Sequence, residues 1–190
     1  MENYTQEEFT IDVSKAQIGA ILYTAPFLLL FSGLFFLIWK DSYDIIGLQM
    51  RIATFGVKLH FISLVIIIVG IIVHELIHGI CFAYFAKNKF KSIKFGVIWK
   101  WVTPYCHCKE PLTIKACIIG AAMPGIVLGF LPCIFSILLG NLGLLLFGLF
   151  FTLAAGGDFM MIFNLRKEPK DNLYQDHPDK IGGIVYRKNN

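Results

Sequence analysis

Phe61-Ile62-Ser63-Leu64-Val65-Ile66-Ile67-Ile68-Val69-Gly70-Ile71-Ile72-Val73-His74-Glu75-Leu76-Ile77-His78 is an apolar run that ends on three groups able to bind protons or a metal. Apolar residues resume after it and continue to Ala86, so the polar triplet lies inside a stretch from about Leu59 to Ala86. Crossing a hydrocarbon core of roughly 30 Å takes about 20 mostly apolar residues. A charge near the bilayer centre costs on the order of 2.5–3.5 kcal/mol on insertion scales, so polar groups kept there are functional candidates. Three of them in consecutive turns need a compensating partner, and a divalent metal supplies one.

Working outward, Ala16 to Trp39 is a run of 24 residues without Asp, Glu, Lys or Arg, and Ala116 to Gly157 is another of 42. The longer run exceeds one helix, and Gly140-Asn141-Leu142-Gly143 offers a tight turn in its middle. The chain as a whole is 56% hydrophobic and 16% charged, against about 45–50% and about 25% in soluble domains. Composition therefore excludes a water-soluble enzyme and a disordered chain. The net charge of +4 needs no nucleic acid to explain it. The expected fold is an all-α membrane protein, a single integral domain over residues 1–190. Its four transmembrane helices run from about 17–39, 59–86, 114–139 and 143–165, followed by a solvated tail at 166–190. Ser14-Lys15-Ala16-Gln17 has the Ser-x-x-Gln pattern of a capping box before the first helix. The acidic start (Glu2, Glu7, Glu8, Asp12) and the long apolar core do not fit a cleaved signal peptide.

With four spans, the N-terminus, the 87–115 loop and the tail share one side. Fourteen Lys and Arg residues fall there, against Lys40, Arg51 and Lys58 on the other. The positive-inside rule then puts both termini in the cytoplasm, with the plasma membrane as the natural location and lipid headgroups as partners. Between helices 2 and 3, Ile93, Phe95, Val97, Trp99 and Trp101 alternate with Ser92, Lys94, Gly96, Ile98 and Lys100, the period of a strand. Tyr105-Cys106-His107-Cys108 can return as its partner. This predicts a short cytoplasmic-side β-hairpin, with its tryptophans at the headgroup level. In the tail, Ile184-Val185-Tyr186 suits a short strand, and residues 41–58 show no legible chemistry. The five cysteines imply no disulfide framework on a reducing side.

Residues four apart share a helix face, so His74 and His78 can grip one ion with Glu75 beside it. This is the His-Glu-x-x-His arrangement of zinc metalloproteases, in which the glutamate takes a proton from the attacking water. A catalytic zinc takes three protein ligands and leaves a position open. Asp158, His107, Cys106, Cys108, His60 and His177 are the candidates for the third. Asp158 is the one acid in the fourth span. Residue 76 lies 11 positions before Lys87 and Asp158 lies 8 before Arg166, depths of roughly 16 and 12 Å at about 1.5 Å per residue. His60 is 14 positions from His74, too far along the helix. Asp158 is the expected third ligand, and Gly79, Gly156 and Gly157 can let the backbones approach. Pro124 and Gly125-x-x-x-Gly129 can kink the third span, though simple packing explains them as well.

On these residues the chain resembles the membrane family described as putative zincin peptidases and, more distantly, the site-2 protease class. Supporting features are Lys94-Phe95-Gly96, Gly157-Asp158, Asp176-His177-Pro178 and Ile181-Gly182. Site-2 proteases carry Asp-Gly where this chain has Gly157-Asp158, and Asn164 follows the acid instead of preceding it. The resemblance implies Zn²⁺ at His74, His78 and Asp158, Glu75 as general base, and cleavage of a membrane-associated peptide substrate. The rival reading is a non-catalytic membrane protein whose metal is structural or whose histidines line a transport path.

Overall fold

The structure, a computed structural model, describes residues 4–10, 13–43, 45–99, 103–177 and 182–188. Helices dominate: α1 (Val13–Trp39), α2 (Ile45–Phe85), α3 (Ile114–Pro124), α4 (Leu131–Leu139), α5 (Leu142–Ala154) and α6 (Gly156–Leu165). Three described helical stretches are long and apolar enough to cross a membrane, and a fourth is added if α5 and α6 form one bent span. On α1 and α2, Leu22, Leu29, Leu37, Phe61 and Ile72 are each more than half exposed. Exposed apolar surface on helices of this length suits contact with lipid or with another apolar surface. These helices are consistent with an integral membrane protein.

Three boundaries depart from the sequence reading. Helix α1 begins at Val13, so Ser14 lies inside it and does not precede it as a cap. Helix α2 runs for 41 residues, extending back through much of the segment that carried no legible chemistry. The stretch expected as the last span is broken into two helices, α5 and α6, which meet at 48° across Ala155. Gly156 sits against the α1 backbone, where an added Cβ would come within 2.8 Å of the Ala20 carbonyl oxygen. That close approach sets the start of α6 against α1.

Between α3 and α4, Gly125–Phe130 forms one π-helical stretch. Its glycines pack closely, as the packing reading expects. A Cβ on Gly129 would meet the Thr152 backbone nitrogen at 3.0 Å. The turn after α4 is built from side chains. Gly140 takes a left-handed φ of 62°, and Asn141 caps α5 by accepting the Leu144 N–H at 3.0 Å. Trp39 donates its indole N–H to the Ile137 carbonyl at 2.8 Å, while the Tyr43 hydroxyl accepts the Leu142 N–H at 3.0 Å and donates to the Gly140 carbonyl. A Cβ at Gly140 would also stand 2.9 Å from the Trp39 ring. Gly140→Ala is therefore expected to cost about 1–3 kcal/mol, measured as a fall in melting temperature in detergent.

The strands are β1 (Tyr4–Thr10), β2 (Ile93–Ile98), β3 (Thr103–Cys108), β4 (Leu112–Thr113), β5 (Leu173–Asp176) and β6 (Gly182–Lys188). β2 and β3 pair antiparallel with Phe95 opposite Cys106, and Lys100 and Trp101 between them lie outside the described residues. The other four strands form a second sheet in the order β1-β6-β5-β4. The tail is thus folded, not a solvated segment, and the architecture is not all-α with a lone hairpin. Tyr174 and Val185 are buried with Phe82, Ala86, Ile93, Cys108, Leu112 and Ile114, which seats the sheet on the ends of α2 and α3. Thr113 joins the two layers: it ends β4 and caps α3 by accepting the Ala116 N–H at 3.3 Å.

Candidate metal centre

The helical repeat of α2 puts His74 and His78 on one face, both buried, with ring centroids 4.9 Å apart. The bend at Ala155 brings Asp158, in the first turn of α6, to the same point. Its Oδ2 lies 3.3 Å from His74 Nε2 and its Oδ1 lies 3.2 Å from His78 Nε2. Ligands at about 2.0–2.2 Å from a tetrahedral zinc stand about 3.3–3.5 Å from one another, so the spacing fits one shared ion. All three donor atoms lie within 4.8 Å of one another.

The orientation of His78 fits the same role. Its Nδ1–H donates to the Gly120 carbonyl at 3.0 Å, which leaves the Nε2 lone pair facing the centre. Metal-binding histidines are usually held by such a second hydrogen bond. Phe82 stacks on the His78 ring at 5.7 Å, and a Cβ on Gly120 would strike Phe82 at 2.2 Å, so glycine is required there. His74 is held by packing, its ring 6.5 Å from that of Phe151. Gly70 makes room for Phe151, and His74 Nδ1 is buried without a hydrogen-bond partner.

Glu75 stands beside the three donors and outside their cluster. Half-buried, its carboxylate faces the Cys106 backbone N–H of β3 and the two imidazoles. A cavity of about 260 Å³ opens in front of the centre. His74, Glu75, His78 and Asp158 line it, together with Pro104, Tyr105 and Cys106 of β3. Gly157 lines it too, and a Cβ there would meet nothing within 4 Å, so that wall stays open. The hairpin is keyed to α2 at the same level, with the Phe95 ring lying where a Gly79 side chain would be.

The other candidate ligands stand apart from the three donors. His60 lies lower on α2, its Nδ1 against the Gly56 carbonyl. His177 pairs with Glu8 at 3.4 Å in the strand layer. Cys106 reaches the cavity wall as a neutral thiol, pushed up to about 12 by burial and by the nearby Glu75 and Asp176 carboxylates. Burial likewise raises Cys108. His107 faces Asp176 at 3.7 Å and is held below its usual range by burial, Lys94 and Lys109. A carboxylate that the sequence reading did not place at the site also lines the cavity: Asp176, at the end of β5. Its only signal was the Asp176-His177-Pro178 triplet.

Comparison with known families adds a decisive observation. A family model described as "Putative zincin peptidase" matches residues 67–173, more than half of the chain. The chain belongs to that family. The matched region contains His74, Glu75, His78 and Asp158, and it ends three residues before Asp176. No curated protein and no solved structure matches the chain. A zincin peptidase family implies a metallopeptidase and a zinc ion. The two imidazole nitrogens and the carboxylate of this cavity are the donor set such an ion takes.

Proposed function

We propose that the protein is an intramembrane zinc endopeptidase of the site-2 protease kind, cutting peptide bonds in or near the plasma membrane. The observation that carries this reading is the convergence of His74, His78 and Asp158 on one point, with Glu75 beside them in a cavity. His74 Nε2, His78 Nε2 and the Asp158 carboxylate would hold the ion. When bound, zinc supplies Lewis acidity that brings a water's pKa near neutrality and stabilises negative charge on a carbonyl oxygen. Glu75 takes the proton of the attacking water and returns it to the departing amine. The Cys106 N–H of β3 lies beside the Glu75 carboxylate.

Topology supports a site within the bilayer. β1 pairs with β6 from Tyr4 opposite Lys188 to Thr10 opposite Gly182, so the two ends of the chain lie together. Ends on one side require an even number of crossings, which favours four spans with α5 and α6 as one. The excess of Lys and Arg on that side makes it cytoplasmic. Glu75 is 12 residues before Lys87, a depth of roughly 18 Å at about 1.5 Å per residue. The hairpin that packs beside it therefore reaches well below the headgroups. An apolar substrate helix hides its carbonyls in its own hydrogen bonds, and an extended segment beside β3 can exchange those bonds for strand pairing. A structural zinc would have four protein ligands, and three cluster here among the described residues.

The test is zinc content and cleavage together. Detergent-purified protein is expected to hold one zinc per chain and, in proteoliposomes, to cut a co-reconstituted single-span substrate. Stoichiometric zinc without cleavage of any of a panel of such substrates would favour the structural-metal reading. Absence of zinc would remove both.

A further inference from the structure

Asp176 enters the cavity from an element that the metal centre does not use. Glu75 and Asp158 come from the spans, whereas Asp176 comes from β5, in the sheet seated on the ends of α2 and α3. The cavity lining holds three carboxylates and two imidazoles, and no lysine or arginine among the described residues. A divalent ion on the triad offsets two of those three negative charges, leaving one in excess. The contacts of the Asp176 carboxylate do not neutralise it. It accepts the Cys108 N–H and faces His107 Nδ1 at 3.7 Å. His107 supplies no charge, since burial and the neighbouring Lys94 and Lys109 keep its imidazole neutral. Burial pushes the Asp176 carboxyl up to about 6, the condition of an acid lacking its cation.

We infer that Asp176 is a specificity-determining residue that receives a cationic side chain of the substrate, so that preferred substrates carry Lys or Arg close to the scissile bond on the cytoplasmic flank. This rests on the peptidase reading and names its substrate class. Membrane segments concentrate Lys and Arg on their cytoplasmic flanks. The strand layer lies at that end of the site, so a segment drawn into the cavity would present its basic flank to Asp176. With no cationic side chain of the cavity lining against it, the carboxylate gains a charge-assisted contact from such a group. The chemistry recognised is an alkylammonium or guanidinium, and a free peptide N-terminus offers a similar cation.

The experiment uses the zinc-loaded full chain in detergent at pH 7.5 and three peptide hydroxamates, read by calorimetry. One is acetylated and carries lysine, one is acetylated with norleucine at that position, and one carries norleucine with a free α-amine. Each is made with the variable residue on either side of the chelating group. The lysine probe is expected to bind about tenfold tighter than the acetylated norleucine probe, the scale of one charged hydrogen bond. Asp176→Asn should erase that preference while leaving zinc content and norleucine affinity unchanged, and Asp176→Glu should restore part of it. Equal binding of lysine and norleucine by the wild-type protein would overturn the inference, whatever the variants do. So would a preference that survives Asp176→Asn, or one confined to the free α-amine. If the protein holds no zinc and binds none of the hydroxamates, the peptidase reading itself fails, and that result differs from selective loss of the lysine preference.

Discussion

Glu75→Gln is expected to lose peptide cleavage and keep its zinc. The three donors lie within 4.8 Å of one another without Glu75, so the amide removes no ligand. Glutamine matches glutamate in size and can still accept the Cys106 N–H through its oxygen. What it cannot do is take up a proton from water. General-base catalysis contributes roughly 10²–10⁴-fold, and cleavage should fall by that factor with zinc per chain unchanged. Two measurements on one preparation decide the matter: metal content by mass spectrometry, and turnover in proteoliposomes. A variant that loses zinc with activity would make Glu75 part of the metal shell, and one that still cleaves would remove it from the mechanism.

Much of this site was legible in the sequence because it rests on local geometry. His74 and His78 share a face in any helix that contains them, and Glu75 follows with them. Asp158 lies 80 residues away from His78. It was still reachable, because a lone acid in an apolar run has few places to go and its depth matched. The bend that delivers it was not legible. Gly156 and Gly157 read as places where backbones can approach, but not as a bend, and the partner of Gly156 turns out to be the α1 backbone at Ala20. The sheet of β1, β4, β5 and β6 was missed for a related reason. Its strands are 7, 2, 4 and 7 residues long, and their partners lie far away in the chain. Periodicity shows a strand with one buried face, not the pairing that completes it. Asp176 was lost with that sheet, since a solvated tail has no reason to enter a membrane cavity.

Asp158→Ala is expected to release the metal, and it separates a metal centre from a plain hydrogen-bonded cluster. If no ion belonged there, the Asp158 carboxylate would serve to satisfy two buried imidazoles. Its removal would then strand both rings at about 1–3 kcal/mol each, and chelators would have no effect on either protein. If zinc binds, the carboxylate is one of three ligands. Changing a residue that merely supports a ligand already costs about 10–100-fold in affinity, so deleting a ligand should cost at least about 100-fold. Bound metal adds stability as the logarithm of its saturation, about 2.7 kcal/mol at a free concentration 100 times Kd. Wild-type protein in that range should therefore melt lower after chelation and recover on adding zinc, whereas Asp158→Ala should gain at most about 0.4 kcal/mol from the same zinc concentration. His78→Ala should behave likewise, since it removes the imidazole that the Gly120 carbonyl aims at the centre. A chelator-insensitive wild type, with both variants merely less stable, would leave a carboxylate between two histidines and no metal to hold.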